Sequence, residues 1–130
     1  MVTAPVFPLA QNDAFLVPSG TGNHIFFLMT DPAKNDEILL LNITTVRAGM
    51  PHDSSCYLDV GDHNFITHQS YVSYAHARRV LKSSFRSKIA AKEVVFRPPP
   101  LSAATFAMIA AGTASKQMTP EMKNFFDTYR

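Results

Sequence analysis

Two continuously apolar runs dominate the first half of the chain. His24-Ile25-Phe26-Phe27-Leu28-Met29 is stopped by the turn residues Thr30-Asp31-Pro32, and Ile38–Val46 follows Lys34-Asn35-Asp36-Glu37. Neither run alternates. Their length, their turn boundaries and the β-branched content of the second predict central strands buried on both faces. A shorter strand is expected at Ala14–Val17, before the turn Pro18-Ser19-Gly20-Thr21-Gly22. After a loop at Ala48–Ser54, Cys56-Tyr57-Leu58 and Ile66–Tyr74 read as two further strands. Five or so short strands with polar turns over 12–80 suggest a small barrel or sandwich.

The pattern then changes period. Leu81, Phe85 and Ile89 recur at helical spacing among Lys82, Arg86 and Lys88, which predicts an amphipathic helix with a basic face. Val94-Val95-Phe96 is a short extended piece, and Pro98-Pro99-Pro100 forms a stiff connector. Ser102 is placed to cap a helix over Ala103–Ala111, with Gly112 as its stop. Thr119-Pro120-Glu121 opens a last helix to about Tyr129, whose Met122, Phe125, Phe126 and Tyr129 are expected to pack on the sheet. The fold class is therefore mainly β (α+β), one domain with a β part at 12–80 and a helical part at 81–130.

Composition agrees with one globular unit. The 130 residues are 46% hydrophobic and 17% charged, which excludes a disordered chain. One cysteine, Cys56, excludes an intrachain disulfide framework and fits a reducing compartment. With no long apolar span and no basic, apolar leader at the N-terminus, the cytoplasm is the expected location, away from membranes.

Charge is unevenly spread. Residues 1–70 hold seven acids against Lys34 and Arg47, a balance of −5. Residues 78–97 hold seven bases against Glu93, a balance of +6. Arg78, Arg79, Lys82 and Arg86 are accordingly candidates for an RNA-binding track, although a solvated helix face would show the same run.

The densest candidate chemistry is Gly61–Tyr74, with Asp62, His63, His68, Ser70, Tyr71 and Tyr74 in fourteen residues. As a strand, Ile66–Tyr74 puts His68, Ser70 and Val72 on one face, with Asp62-His63 in the turn before it. Two histidines near a phosphodiester suffice for RNA transesterification, one as base and one as acid. Arg47 is placed to stabilise phosphate charge. His52 and Asp53, in the loop after the second apolar run, form a second candidate group. The bland alternative for both is turn stabilisation. A metal held by His52, Asp53, Asp62, His63 and His68 is disfavoured, because their spacing matches no ligand motif. No metal or other cofactor is expected. Cys56, in a strand, reads as a core residue rather than a nucleophile, and no phosphate-binding glycine loop is present.

The order of elements resembles the PemK/MazF-type growth-inhibitor toxins, in which a compact SH3-like β-barrel precedes C-terminal helices. Glu37–Val46, running into Asn42-Ile43-Thr44-Thr45, is similar to the family's strand that ends at the active groove. The run from Gly61-Asp62-His63 to Ser70-Tyr71-Val72 is similar to some divergent members. The family's glycine-aspartate start, its glycine-x-glutamate loop and its arginine-proline are absent. The resemblance implies metal-independent cleavage of single-stranded RNA, a homodimer and a cognate antitoxin protein. His63, His68, Arg47, His52 and Ser70 would then be the catalytic set. The alternative is a non-catalytic RNA- or protein-binding module of a mobile element.

Overall fold

The computed structural model describes residues 7–20 and 22–130. The N-terminal six residues and Thr21, inside the first expected turn, lie outside the described residues. Six strands and three helices follow in the order β1 (Ala14–Ser19), β2 (Gly22–Leu28), β3 (Glu37–Thr45), β4 (Tyr57–Leu58), β5 (Ser70–Leu81), α1 (Lys82–Ala90), β6 (Val95–Phe96), α2 (Ala103–Ala111) and α3 (Pro120–Tyr129). A short 3-10 turn, Gly112–Ala114, follows α2. The strands make one antiparallel sheet in the order β4-β5-β3-β2-β1-β6. The fold is thus mainly β with helices. The ladder ends in β4 on one side and β6 on the other, with no pairing among the described residues that closes it. Among the described residues no helix is long and apolar enough to cross a membrane.

The two apolar runs are central strands, for the reason their pattern implies. Along β3, Leu39, Leu41 and Ile43 point into one core while Ile38 and Leu40 point into another. Along β2, Phe27 joins the first core and Phe26 and Leu28 the second. The first core is roofed by α2 and α3 through Ile109, Ala110, Phe125 and Phe126. The second is roofed by α1 through Phe85 and by Val94. Strands covered on both faces have no side to leave polar.

Both helix caps act as read. Ser102 Oγ accepts from the Thr105 N–H at 3.1 Å, and Thr119 Oγ1 from the Met122 N–H at 3.3 Å, with Pro120 opening α3. Gly112 needs its lack of side chain for space and not for backbone freedom, since its φ is −70°. A methyl group there would overlap the Tyr74 hydroxyl and stand 3.0 Å from Cys56 Cβ. That hydroxyl is buried and donates to the Ile109 carbonyl at 2.6 Å, so α2 is tied directly to β5.

One expected element moves. The strand anticipated at Ile66–Tyr74 begins only at Ser70 and continues to Leu81 through the basic pair Arg78-Arg79. Pairing with β3, from Thr45↔Ser70 to Glu37↔Leu81, sets this extent. Between Leu40↔Arg78 and Asn42↔Ser73, the four residues Tyr74-Ala75-His76-Ala77 face the single residue Leu41, an enlarged bulge. Ile66 belongs instead to the preceding turn, where its N–H donates to the His63 carbonyl.

The sheet is curled toward the second core. Arg78 on β5 lies over the Phe26 ring of β2 at 4.7 Å and donates to Ser19 Oγ of β1 at 2.9 Å. On a flat sheet β5 and β1 would stand three spacings, about 14 Å, apart. The β1–β2 hairpin therefore arches over this face.

Two variants test the α2–β5 contact. Gly112→Ala is expected to lower the unfolding free energy by about 1–3 kcal/mol. Adding Tyr74→Phe to it should recover part of that loss. Urea denaturation measures both, and a double mutant no more stable than Gly112→Ala would show that the hydroxyl is not what the methyl meets.

Candidate functional site

The β2–β3 ladder is short. It pairs Leu28↔Leu40, Phe27↔Leu41 and Phe26↔Asn42 and then stops, although β2 continues back to Gly22 and β3 on to Thr45. Beyond Phe26↔Asn42, β2 stays with β1 as far as Ser19↔Gly22, and β3 stays with β5 as far as Thr45↔Ser70. The two strands splay apart and leave a cleft of about 300 Å³ between them. Asn23, His24 and Ile25 form one side, and Ile43, Thr44 and Thr45 the other. Arg47, Phe65, Thr67 and Ser70 complete the lining.

Arg47 and Ser70, both expected as site residues, are therefore brought together. Arg47 is exposed, and its guanidinium makes no ion pair or side-chain hydrogen bond among the described residues. Phe65 is the aromatic wall, 39% exposed despite its size. His24 is half-buried, with neither ring nitrogen engaged by a described residue. Ser70 is buried and donates to the His68 carbonyl at 3.0 Å, leaving its oxygen free to accept.

His63 has a different task. It is 6% exposed and packs against Phe27, with ring centroids 5.2 Å apart, and against Phe65 at 5.4 Å. Its Nε2–H donates to the Pro99 carbonyl at 2.7 Å, and its Nδ1 accepts from the Phe65 N–H at 3.3 Å. Both nitrogens are used, so His63 offers no proton-transfer atom. It holds Phe65 at the cleft and ties the loop to the proline connector. Gly61 at φ 105° supplies the left-handed turn that this loop needs, and Asp62 Oδ2 accepts from the Asp59 N–H at 2.7 Å.

The remaining candidates lie elsewhere. His68 precedes β5 and is exposed, so the strand face once drawn through His68, Ser70 and Val72 does not form: Val72 is in the first core. His68 Nδ1 meets Thr67 Oγ1 at 3.0 Å, which leaves the histidine near the cleft without lining it. His52 lines a larger, separate cleft of about 540 Å³ with Asp53, Ser115 and Lys116. Its Nδ1–H donates to the Met50 carbonyl at 3.2 Å, and its Nε2 accepts from the Tyr57 hydroxyl at 2.7 Å. No described cleft holds His52, His63, His68 and Arg47 together.

Asp53 is consumed by its own loop. The buried carboxylate accepts from the Ser55 N–H at 2.9 Å and the Ser115 hydroxyl at 2.6 Å, joining the loop to the turn after α2. Burial pushes its carboxyl up, but those serine hydrogen bonds and the nearby His52 outweigh burial and hold it below 3.8. Cys56 is buried, and burial raises its thiol, with further push from Asp62 and Asp53. Among the described residues no three His, Cys, Asp or Glu side chains gather as a metal site would require.

The basic track also divides. Arg78 and Arg79 occupy opposite sheet faces, opposite Leu40 and Leu39 respectively. Arg79 pairs with Glu37 at 3.0 Å and Glu121 at 3.2 Å and lies 4.4 Å over Phe125, bracing α3 against the sheet. Lys82 donates to the Pro32 carbonyl at 2.6 Å and Arg86 to the Phe7 carbonyl at 3.1 Å. The sheet thus separates Arg79 from Arg78, while Lys82 and Arg86 line one groove together with Asp31 and Pro32. His24 and Phe65, missed as site residues, carried no motif, because their meeting depends on where two strands part.

Neither the protein-family models nor the curated proteins contain a match to the chain.

Two measurements follow from these assignments. His63→Ala is expected to destabilise the fold by about 1–3 kcal/mol, because it strands the Pro99 carbonyl and the Phe65 N–H. Thermal unfolding reads this, and an unchanged midpoint would contradict a positioning role. For Asp53 the folded pKa is depressed, so its stabilisation is complete above the ordinary value of 3.8 and is lost as pH falls toward the folded value. Asp13 has the opposite sign, since burial raises its carboxyl. The difference between wild type and Asp53→Asn in urea titrations at successive pH values isolates Asp53, and should shrink only on acidification below about 3.8.

Proposed function

We propose that the chain is a single-stranded RNA-binding module that takes a nucleotide in the β2–β3 cleft. One observation carries this reading: a guanidinium with no ion-pair partner among the described residues and an exposed aromatic ring line one small cleft rimmed by hydroxyls. Arg47 meets phosphate with paired donors, and Phe65 offers a face on which a base stacks. Thr45, Thr67 and Ser70 supply partners for a ribose 2′-hydroxyl, the group that separates RNA from DNA. Arg78, Arg79, Lys82 and Arg86 have no collective part in this reading, because Arg78 and Arg79 face opposite sides of the sheet and Arg79 is ion-paired with Glu37 and Glu121. The loss of free nitrogens at His63 and His52 supports a binding role over the expected catalytic set.

A ribonuclease of the PemK/MazF type is the second reading, favoured by the placement of His24 beside Arg47 with His68 close by. In that chemistry one histidine removes the proton of a ribose 2′-hydroxyl, which attacks the adjacent phosphorus. The other histidine gives a proton to the departing 5′-oxygen, and Arg47 stabilises the charged phosphorane. A closed SH3-like barrel, a homodimer and an antitoxin partner belong to this reading alone, whereas a cytoplasmic site of action goes with either.

Anisotropy with a labelled single-stranded RNA, followed on a gel with EDTA present, separates the two. Arg47→Ala is expected to weaken binding about tenfold and to lower the salt slope by about one. Arg79→Ala should leave RNA affinity near wild type. Absence of binding at micromolar protein and low salt would overturn the proposal. Cleavage in EDTA, lost in His24→Ala, would establish the second reading instead.

A further inference from the structure

We infer that the splayed β2–β3 cleft reads the hydrogen-bonding edge of one nucleobase with main-chain atoms, an inference that rests on the RNA reading above. The direction of backbone N–H and C=O groups alternates along a strand. The Val46 N–H donates to Gln69 on the β5 side, so Thr44 and Asn42 also face β5. The odd-numbered residues of β3 then face β2, as the Met29 N–H to Leu39 carbonyl bond confirms at 2.9 Å. On β2 the even residues face β1, since the Leu28 N–H donates to the Asp13 carbonyl. Its odd residues therefore face β3.

The Phe26↔Asn42 pair is closed by the Ile43 N–H bonding the Ile25 carbonyl; beyond it the Ile25 N–H, the Ile43 carbonyl and the main-chain groups of Asn23 and Thr45 face the gap with no ladder pairing. All four residues line the cleft. Unpaired main-chain groups persist where water or a ligand reaches them. Each side is also rigid, because β1 holds β2 and β5 holds β3 through the opposite backbone edge. Such donors and acceptors are preorganised and adjacent, which matches the adjacent donor and acceptor on the Watson–Crick edge of a base.

The shape favours a base over an inserted peptide strand. An added strand needs about 4.8 Å of clearance on each side along its length. This cleft is only three residues deep and is shut by the Phe26↔Asn42 pair. It admits a flat group from its open end. Phe65 then stacks on the base while Arg47 takes the phosphate.

Nitrogen-15 NMR titration of the full chain with AMP, CMP, GMP and UMP, with ribose 5-phosphate as reference, tests the inference. The amides of Asn23, Ile25 and Thr45 are expected to shift with at least one nucleotide, with a spread of tenfold or more in affinity across the four. Ribose 5-phosphate should perturb Arg47 and leave those amides still. Equal amide shifts with ribose 5-phosphate would overturn base reading. So would an RNA that binds by anisotropy without moving these amides, which leaves the RNA proposal intact. RNA that fails to bind at all would defeat both. Amide shifts produced by an extended peptide and by none of the nucleotides would replace the inference with strand addition.

Discussion

Burial of β3 on both faces is the constraint from which the rest of the structure follows. Leu39, Leu41 and Ile43 require cover on one side and Ile38 and Leu40 on the other. A sheet of this size cannot provide both covers, so the chain after β5 must. It sends α1 and Val94 to one face, crosses the proline connector, and returns α2 and α3 to the other. The Leu101 N–H bond to the Asn12 carbonyl, at 2.8 Å, fixes that return beside the start of β1. The polar ties act as local pins on this arrangement: Tyr74 to Ile109, Asp53 to Ser115, Arg79 to Glu37 and Glu121. Apolar burial supplies the general drive, and the pins select one packing.

The cleft arises from a conflict within the same sheet. β2 is bonded to β1 along its whole length but to β3 over only three pairs. Arg78 reaches past Phe26 to Ser19, which draws the β1–β2 hairpin over the concave face. β3 meanwhile follows β5 to Thr45. The strands part where those two attachments diverge, and the loop carrying Phe65 closes one side. The candidate site is thus a by-product of sheet curvature, with side chains from four different segments around it.

The histidines show how much a side chain's role depends on what its nitrogens touch. His63, the centre of the densest polar run, is a strut between Phe27, Phe65 and Pro99. His52 bridges Met50 and Tyr57. His24, which sits unremarkably at the start of an apolar run, has neither nitrogen engaged by a described residue and lines the same cleft as Arg47. Reactive residue types mark where a site is worth seeking; hydrogen-bond partners decide whether the reactivity is available.

Much of the fold was legible in the chain. Unbroken apolar runs identified the two central strands, and Ser102, Thr119 and Pro120 marked the helix starts, because these signals act within a few residues. The extent of β5 was not legible, since pairing with Glu37–Leu40 extends a strand through Arg78-Arg79 that local pattern assigns to a helix approach. Nor was the fate of the basic run, whose partners Glu37, Glu121, Pro32 and Phe7 are distant in sequence. Of the candidate site, Arg47 and Ser70 were named from sequence, while His24, Phe65 and the open main chain were not. Sequence determined which segments are strands and helices, because hydrophobic period and capping are local. Only the tertiary structure decided which polar groups remain unpaired, because that depends on where non-local strands meet and where they part.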